Sequence, residues 1–328
     1  MVEVKKIGLE DLLPTTEKVM KHATHVSINN NRAMELARKI PELFGRFHIP
    51  FKIIGEELKI DLQLVFVRNS INFSFWPDFS KPRWVVEDKE DESRNIKWGA
   101  DALDICFERA LKDGTKVLSS NFLNYMTEGQ MKFLFRGLHG IEIPMLEERM
   151  HCLKNIGSVL LGEFCGKYLN VIEVAEYDAV KLVNLVAERF SSYSDISRFR
   201  SMRVPFLKRA QLCAWHTDIV LRRYGKSGLK NVDKLTAFAD YRIPQILREF
   251  GVLEYSERLK EVIRKEELIL RDDPMEVEIR AATIQAVELI FQSNNGKYNS
   301  AEIDSILWKM TRSLNLRRPF HRTRTRFY

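Results

Sequence analysis

Cysteine is scarce in this sequence, and the four cysteines stand far apart. Cys106, Cys152, Cys165 and Cys213 form no Cys-x-x-Cys pair and have no matching His-x-x-x-His segment. Structural zinc sites and thioredoxin-like redox centres need closely spaced ligands of this kind. We therefore expect no metal and no cofactor, and we expect all four cysteines to be buried free thiols.

Long apolar runs are also missing. No stretch of about 18 uncharged apolar residues occurs, and charges are spread through Met1–Lys21, where a signal peptide would need an apolar core. These absences predict a soluble protein of the cytoplasm, with the nucleus as a second compartment, and no membrane partner. The sequence also lacks repeats, low-complexity tracts and an evident interdomain linker, so residues 1–328 are expected to form one domain.

The residues that are present indicate a folded protein with a mildly basic surface. The 328 residues are 45% hydrophobic and 10% aromatic, which is enough for a sizeable core. The 52 lysines and arginines exceed the 45 acidic residues, and the net charge of +7 favours anionic partners. Much of this excess lies near the C-terminus, so a basic stripe for duplex binding is not required. A phosphate monoester needs only about two or three cations.

Hydrophobic periodicity predicts a mainly α-helical fold with a small antiparallel β-sheet. Helical spacing of apolar residues marks residues 1–60 and 100–313. Residues 62–98 between them have the composition of β-strands, which we predict at Leu62–Val67, Ile71–Trp76, Trp84–Val86 and Ile96–Trp98. The basic C-terminal end, residues 314–328, is predicted to be ordered because apolar residues accompany its arginines.

Two of the predicted helices carry start signals. Thr127 and Gln130 have the spacing of a capping box. Asp272–Asp273–Pro274 starts a second helix, with acidic residues followed by proline in the first turn. In that helix Glu276 and Arg280 are four residues apart, so we interpret them as a helix-stabilising ion pair.

The segment Phe238–Gln245, between two predicted helices, concentrates the chemistry of the chain. Within five residues it holds a carboxylate, a guanidinium and two aromatic rings, from Asp240, Arg242, Phe238 and Tyr241. A pocket for a flat polar base needs these groups. The sequence leaves two interpretations of Asp240 open, since it can cap the helix that follows or serve as a functional carboxylate.

Six blocks of the sequence resemble the queuosine salvage protein family. In chain order they are Asn72–Trp76, Pro144–Arg149, Lys208–Gln211, Phe238–Leu247, Glu276–Arg280 and Pro319–Arg322. The similarity extends over most of the chain. It implies a queuosine 5'-phosphate N-glycosidase, which hydrolyses the bond between ribose and base and releases queuine. It also implies a helical fold distantly similar to the helix-hairpin-helix DNA glycosylases.

The reaction implied by this resemblance assigns roles to the residues around Asp240. Cleavage of an N-glycosidic bond builds positive charge on the sugar and negative charge on the base. Asp240 is therefore expected to stabilise the oxocarbenium-like transition state or to activate water. Queuine is a 7-deazaguanine, so protonation at N7 is not available and the departing base needs other contacts. Asp304 is the expected second carboxylate, and Phe238, Tyr241 or Trp76 are the expected stacking rings.

Several cations are candidates for binding the 5'-phosphate. Arg209, Arg242, Arg322 and Arg324 are possible clamps, because a guanidinium group binds phosphate through two hydrogen bonds. Lys208 and its neighbour Arg209 form either a solvated helix face or part of the phosphate site.

Two further residues, His48 and Tyr328, complete the expected substrate contacts. His48 lies among apolar neighbours and is either a hydrogen-bonded core residue or, as the resemblance implies, a substrate contact. Residues 321–328 alternate as a strand would, with three arginines and Tyr328 on one side.

The alternative function is a helical nucleic-acid-binding or base-excising module that acts on a polymer. The basic end favours it, but the cations form no long stripe and no Gly-rich hairpin follows a helix. A third hypothesis, a non-catalytic scaffold, leaves Asp240 and its aromatic neighbours without a role. The expected partners are the nucleotide substrate and the queuine product, without a stable nucleic-acid complex.

Overall fold

Helices form most of the described chain, as the spacing of apolar residues predicts. The structure is a computed structural model, and it describes residues 7–47, 54–55, 57–91 and 95–328. The α-helices in these ranges are α1 Leu12–Lys21, α2 Asn30–Phe47, α3 Leu58–Ser70, α4 Ala100–Lys112, α5 Ser120–Asn124, α6 Glu128–Leu134, α7 Leu146–Glu163, α8 Tyr168–Val174, α9 Ala179–Arg189, α10 Lys208–Arg223, α11 Arg242–Glu249, α12 Glu257–Arg264, α13 Pro274–Ser293 and α14 Ser300–Ser313.

The strands of the described ranges are short and pair two by two. They are β1 Val26–Ile28, β2 Val85–Glu87, β3 Ile96–Trp98, β4 Ile196–Phe199, β5 Met202–Pro205 and β6 Leu253–Tyr255. Each pair is antiparallel: β1 with β6, β2 with β3, and β4 with β5. The β2–β3 pair, in which Val85 faces Trp98, confirms the two later strands predicted between residues 62 and 98.

The first strand predicted in that region, Leu62–Val67, is wrong, because these residues lie in helix α3. Nearly every residue of α3 from Asp61 to Ser70 is buried. A helix buried on all sides has no polar face, so its apolar run has no helical period. Such a run cannot be distinguished from a buried strand by periodicity.

The second predicted strand, Ile71–Trp76, is also wrong, since these residues have no ladder partner and form irregular structure. Their backbone groups bond elsewhere. The carbonyls of Ile71 and Phe73 accept hydrogen bonds from the Arg149 side chain. The N–H of Ser74 donates to the main-chain oxygen of Tyr328 at 3.0 Å. Ser74 also has a φ of 35°, which interrupts an extended conformation.

Helix α13 lies at the centre of the core. It is buried around nearly its whole circumference and packs against α1, α2, α11, α14 and β1. Helix α10 packs in turn against α3 and α9. The buried apolar side chains form one cluster that extends from Leu9 to Met310, and their burial is the main stabilising contribution to the fold. Among the described helices, each is too short or too polar to span a bilayer.

The C-terminal end packs against the domain without forming a strand. His321, Thr323, Thr325 and Phe327 are buried, whereas the arginines between them are half-buried. The predicted alternation is thus present, but Tyr328 is buried too and does not share the side of the arginines. A single bridge between Leu268 and Arg322 is the only β-type pairing recorded for this part of the described chain.

Three of the four cysteines are buried, as expected, and the prediction for the fourth is wrong. Cys165 is exposed. It has a φ of 50° in the turn that follows α7, next to Gly166 with a φ of 74°. Residues in such left-handed turns after a helix lie at the surface, which explains the exposure of this thiol.

Candidate active site

A large cavity opens between helices α3, α4, α10 and α14 and the segment 235–241. Its volume is about 1130 Å³, slightly above the range of about 300–1,000 Å³ typical of small-molecule sites. The Phe, Trp and Tyr side chains that line it are Phe44, Phe47, Phe73, Phe75, Trp98, Trp215, Phe238, Tyr241, Trp308 and Tyr328. Such walls, combined with a few polar groups, suit a flat and partly polar ligand.

Asp240 lies on the cavity wall and uses its two carboxylate oxygens differently. Oδ1 accepts hydrogen bonds from the backbone N–H groups of Arg242 at 2.6 Å and Ile243 at 3.1 Å. It therefore satisfies two free donors at the start of α11. Oδ2 lies 4.0 Å from Nζ of Lys208. The capping interpretation is confirmed, and the same side chain also lines the cavity, so a functional role for Asp240 stays a prediction.

Asp304 brings a second carboxyl group to the same wall. It projects from α14, and its Oδ1 accepts the backbone N–H of Phe238 at 2.9 Å. Burial, followed by the negative charge of Asp240, raises the pKa of Asp304 to about 8. At neutral pH this carboxyl group is therefore mostly protonated, and it can donate a hydrogen bond as well as accept one.

Lys208, the first residue of α10, places a cation beside these two carboxyl groups. Its side chain is only 7% exposed. Burial lowers the pKa of Lys208, whereas the charges of Asp240 and Asp304 act in the opposite direction. An amine that is desolvated and held near carboxylates is a frequent feature of functional sites.

The structure brings seven of the predicted site residues to the cavity. They are Asp240, Lys208, Phe238, Tyr241, Arg242, Asp304 and Tyr328. Tyr328 donates its hydroxyl hydrogen bond to Glu276 at 2.8 Å, so this donor is already used within the protein. His48 falls outside the described residues.

Four predicted site residues are not among those that line the cavity: Trp76, Arg209, Arg322 and Arg324. Arg324 covers the ring of Trp76 at 3.6 Å and pairs with Asp78. Arg322 pairs with Glu266 at 2.7 Å. These tail arginines are thus engaged by carboxylates and an aromatic ring of the protein itself.

Arg209 is fully buried beside the cavity rather than in it. Its guanidinium donates hydrogen bonds to the main-chain oxygens of Asn69, Ser70 and Ser192. Adjacent residues on a helix point about 100° apart. When Lys208 faces the cavity, Arg209 must therefore face the core.

Sequence reasoning missed several cavity residues, among them Trp98, His216, Trp308, Lys309 and Arg312. Helical spacing could have found some of them, since Trp308 and Arg312 follow Asp304 at intervals of four residues. His216 likewise lies two turns beyond Lys208. Burial lowers the pKa of His216 well below its usual value, so its imidazole is neutral.

The fold and the cavity together define a mainly helical protein with a deep, aromatic-walled site and a buried cluster of two carboxyl groups and one lysine. A family model described as queuosine salvage protein matches residues 55–328. The chain belongs to this family, as the six sequence blocks predicted.

Curated relatives agree with this assignment. The chain is 34% identical over 283 residues to the queuosine 5'-phosphate N-glycosylase/hydrolase of Mus musculus, with 80% of this chain and 81% of the relative covered. It is 32% identical over 327 residues to the protein of that name from Sphaerobacter thermophilus, with 97% of each chain covered. A third relative of that name, from Schizosaccharomyces pombe, is 32% identical, with 76% of this chain and 75% of the relative covered.

Proposed function

We propose that this protein hydrolyses the N-glycosidic bond of queuosine 5'-phosphate and releases queuine. The relatives carry the name of this activity, and the cavity has the size and aromatic lining that a nucleotide requires. The observation that carries the proposal is the convergence of Asp240, Lys208 and Asp304 on one wall of that cavity.

Asp240 is the proposed catalytic carboxylate. Its Oδ2 is the oxygen not used for capping α11. In the proposed reaction the oxygen of water bonds to the anomeric carbon as the bond to the base breaks. A carboxylate beside the sugar stabilises the positive charge that develops there and orients the water. Lys208 holds Oδ2 toward the cavity through its charge.

Asp304 is the proposed contact to the departing base. A neutral carboxyl group presents an O–H donor and a carbonyl acceptor side by side. The edge of a guanine-like base presents a carbonyl acceptor next to an N–H donor. The raised pKa of Asp304 therefore suits it to this edge. A hydrogen bond donated by Asp304 strengthens as negative charge builds on the base.

Of the four arginines considered for the 5'-phosphate, Arg242 is the one that lines the cavity. Its Nη1 donates to Gln245 at 2.9 Å, and no carboxylate of the described residues lies within ion-pair distance of it. We therefore propose Arg242 as a phosphate contact.

We also propose that the released queuine serves tRNA modification, in the cytoplasm and nucleus.

The test is to incubate purified protein with queuosine 5'-phosphate, free queuosine or queuosine-containing tRNA, with and without EDTA, and to follow queuine by chromatography. We expect release from the nucleotide in both conditions. Loss of release with EDTA would indicate a required divalent ion. No release from the nucleotide, together with tRNA binding that weakens steeply with salt, would instead support a polymer-binding module.

A further inference from the structure

The ion pair between Arg280 and Asp195 is buried outside the cavity. Its side chains bond to the main chain at Lys208 and at Ala239, the residue before Asp240. Arg280 on α13 and Asp195 before β4 are 0% and 1% exposed at their side chains. Their contact is bidentate, with Nη1–Oδ1 at 3.1 Å and Nη2–Oδ2 at 2.5 Å. The rings of Phe206 and Tyr328 lie about the guanidinium at 4.0 Å and 4.2 Å.

Each side chain of the pair has one further hydrogen bond, and these two bonds are directed to the backbone of Lys208 and Ala239. Asp195 Oδ2 accepts the N–H of Lys208 at 3.2 Å. Arg280 Nε donates to the carbonyl oxygen of Ala239 at 3.1 Å. Ala239 immediately precedes Asp240, so the ion pair connects the main chain of Lys208 to that of Asp240.

The main chain of Asp195 also stabilises the start of α10. The main-chain oxygen of Asp195 accepts the N–H groups of Phe206 and Leu207, both at 3.0 Å. Leu207 has a φ of 51°, a left-handed conformation that is unfavourable for leucine. The hydrogen bonds donated to the main-chain oxygen of Asp195 therefore hold the unusual turn that places Lys208 at the helix start.

We propose that Asp195 and Arg280 are positioning residues that set the distance between Lys208 and Asp240. The i, i+4 contact predicted for Arg280, with Glu276, is present at 3.6 Å but is longer than its contacts with Asp195. Buried ion pairs add little net stability compared with apolar residues. A role in fixing the geometry of the site accounts for the burial of Asp195 and Arg280. The remaining side-chain hydrogen bonds of the two residues end at the backbone of Lys208 and Ala239. This inference rests on the proposed function for its kinetic test.

The test compares Asp195→Asn, and Arg280→Lys as a milder second variant, with wild type. Arg280→Lys keeps the charge but cannot bond both carboxylate oxygens and the Ala239 carbonyl. Per folded molecule, we expect kcat for queuine release to fall by about 10- to 100-fold with KM little changed, because a misplacement of about 1 Å has such an effect. Combined with Asp240→Asn, neither change should reduce kcat much further, since residues that act as a unit are not additive.

Glu278→Gln is the matched control. Glu278 is 1% exposed on the same helix, but its Oε2 accepts backbone N–H groups of Thr24, His25 and Val26, on the side of β1. It should lower the melting temperature and leave kcat per folded molecule unchanged. An unchanged kcat in Asp195→Asn and Arg280→Lys, or a full multiplicative loss on top of Asp240→Asn, would overturn the positioning role.

A crystal structure of the folded variant provides a readout that does not depend on activity. We expect the distance from Lys208 Nζ to Asp240 Oδ2, 4.0 Å in the wild type, to change. If it stays the same, the positioning role is refuted whatever the kinetics. If instead wild type releases no queuine, the proposed function fails, and this distance still decides the positioning role.

Discussion

At the scale of single residues, Asp240 caps α11 and lines the cavity with the same side chain, and we propose that this side chain is also the catalytic carboxylate. Asp178 offers a useful comparison because it caps α9 in the same manner, accepting the N–H groups of Val180 at 2.9 Å and Lys181 at 3.0 Å. Asp178 does not line the cavity. Comparison of Asp240 with Asp178 therefore separates the effect of a helix cap from the effect of a carboxylate in the cavity.

Asp240→Asn should leave the protein folded and reduce turnover of queuosine 5'-phosphate by at least about 100-fold, as loss of an electrostatic contact to a transition state does. The amide oxygen of asparagine can still accept both N–H groups, so the melting temperature should change little. Asp178→Asn, measured in parallel by the same queuine-release assay, should keep wild-type turnover. Unfolding of Asp240→Asn alone would show that its task is only the cap.

Asp304 makes stability depend on pH in a defined direction. Its pKa is about 8 in the folded protein, against 3.8 ordinarily. The folded state therefore holds a proton that the unfolded state releases, and stability falls as pH rises through this interval. The stabilising contribution is complete below about pH 4 and is lost by about pH 8.

Asp304→Asn should remove this dependence, because the amide stays neutral and can still accept the N–H of Phe238. The wild type should therefore lose stability relative to the variant as the pH rises from about 5 to about 9. The melting temperature of the variant minus that of the wild type should increase over this range. Thermal unfolding followed by circular dichroism measures this difference. A difference that is constant over the range would contradict a raised pKa.

At the scale of elements, buried arginines terminate helix α3. The last carbonyls of a helix have no partner within it. At the end of α3, the oxygens of Asn69 and Ser70 accept hydrogen bonds from Arg209, and the oxygen of Ile71 accepts one from Arg149. The irregular segment after α3 therefore satisfies its backbone groups through side chains instead of a strand ladder.

Arg209→Met should lower the free energy of unfolding by about 2–4 kcal/mol, because it leaves buried carbonyl groups without donors. Urea unfolding measures this loss. Lys132→Met, which removes a cation about half exposed and paired with Glu128 and Glu142, should change the free energy of unfolding much less, because exposed ion pairs are screened by solvent. If Arg209→Met kept its stability but raised KM for the nucleotide and not for free queuosine, Arg209 would be a phosphate ligand after all.

At the scale of the whole molecule, two of the cations near the C-terminus are paired with carboxylates of the protein itself. The tail arginines Arg322 and Arg324 pair with Glu266 and Asp78, from different parts of the chain. Affinity for a polymer requires several cations free to contact successive phosphates. The cavity, in contrast, is lined by residues of several helices.

We therefore predict that the protein forms no complex with tRNA tighter than about 1 μM at physiological salt, the upper limit of ordinary non-specific binding. Fluorescence anisotropy with labelled queuosine-containing tRNA tests this, with unmodified tRNA as the control. Tighter binding with a steep salt dependence would show that the basic surface has a polymer partner.

Local sequence patterns predicted the helical class, the Phe238–Gln245 segment that contributes to the cavity wall, and several helix ends. The capping box of Thr127 and Gln130 and the start of α13 at Pro274 are present as predicted. Such features depend on neighbouring residues and on helical spacing, so local sequence suffices to identify them.

The tertiary structure alone decided which polar side chains meet. Arg209 and Lys208 are adjacent in sequence, yet one faces the core and the other the cavity. Asp195 and Arg280 are 85 residues apart and form one buried pair. Local patterns give the periodicity of an element, but its rotation and its distant neighbours follow from packing, since a buried polar group must find its partner wherever the fold supplies one.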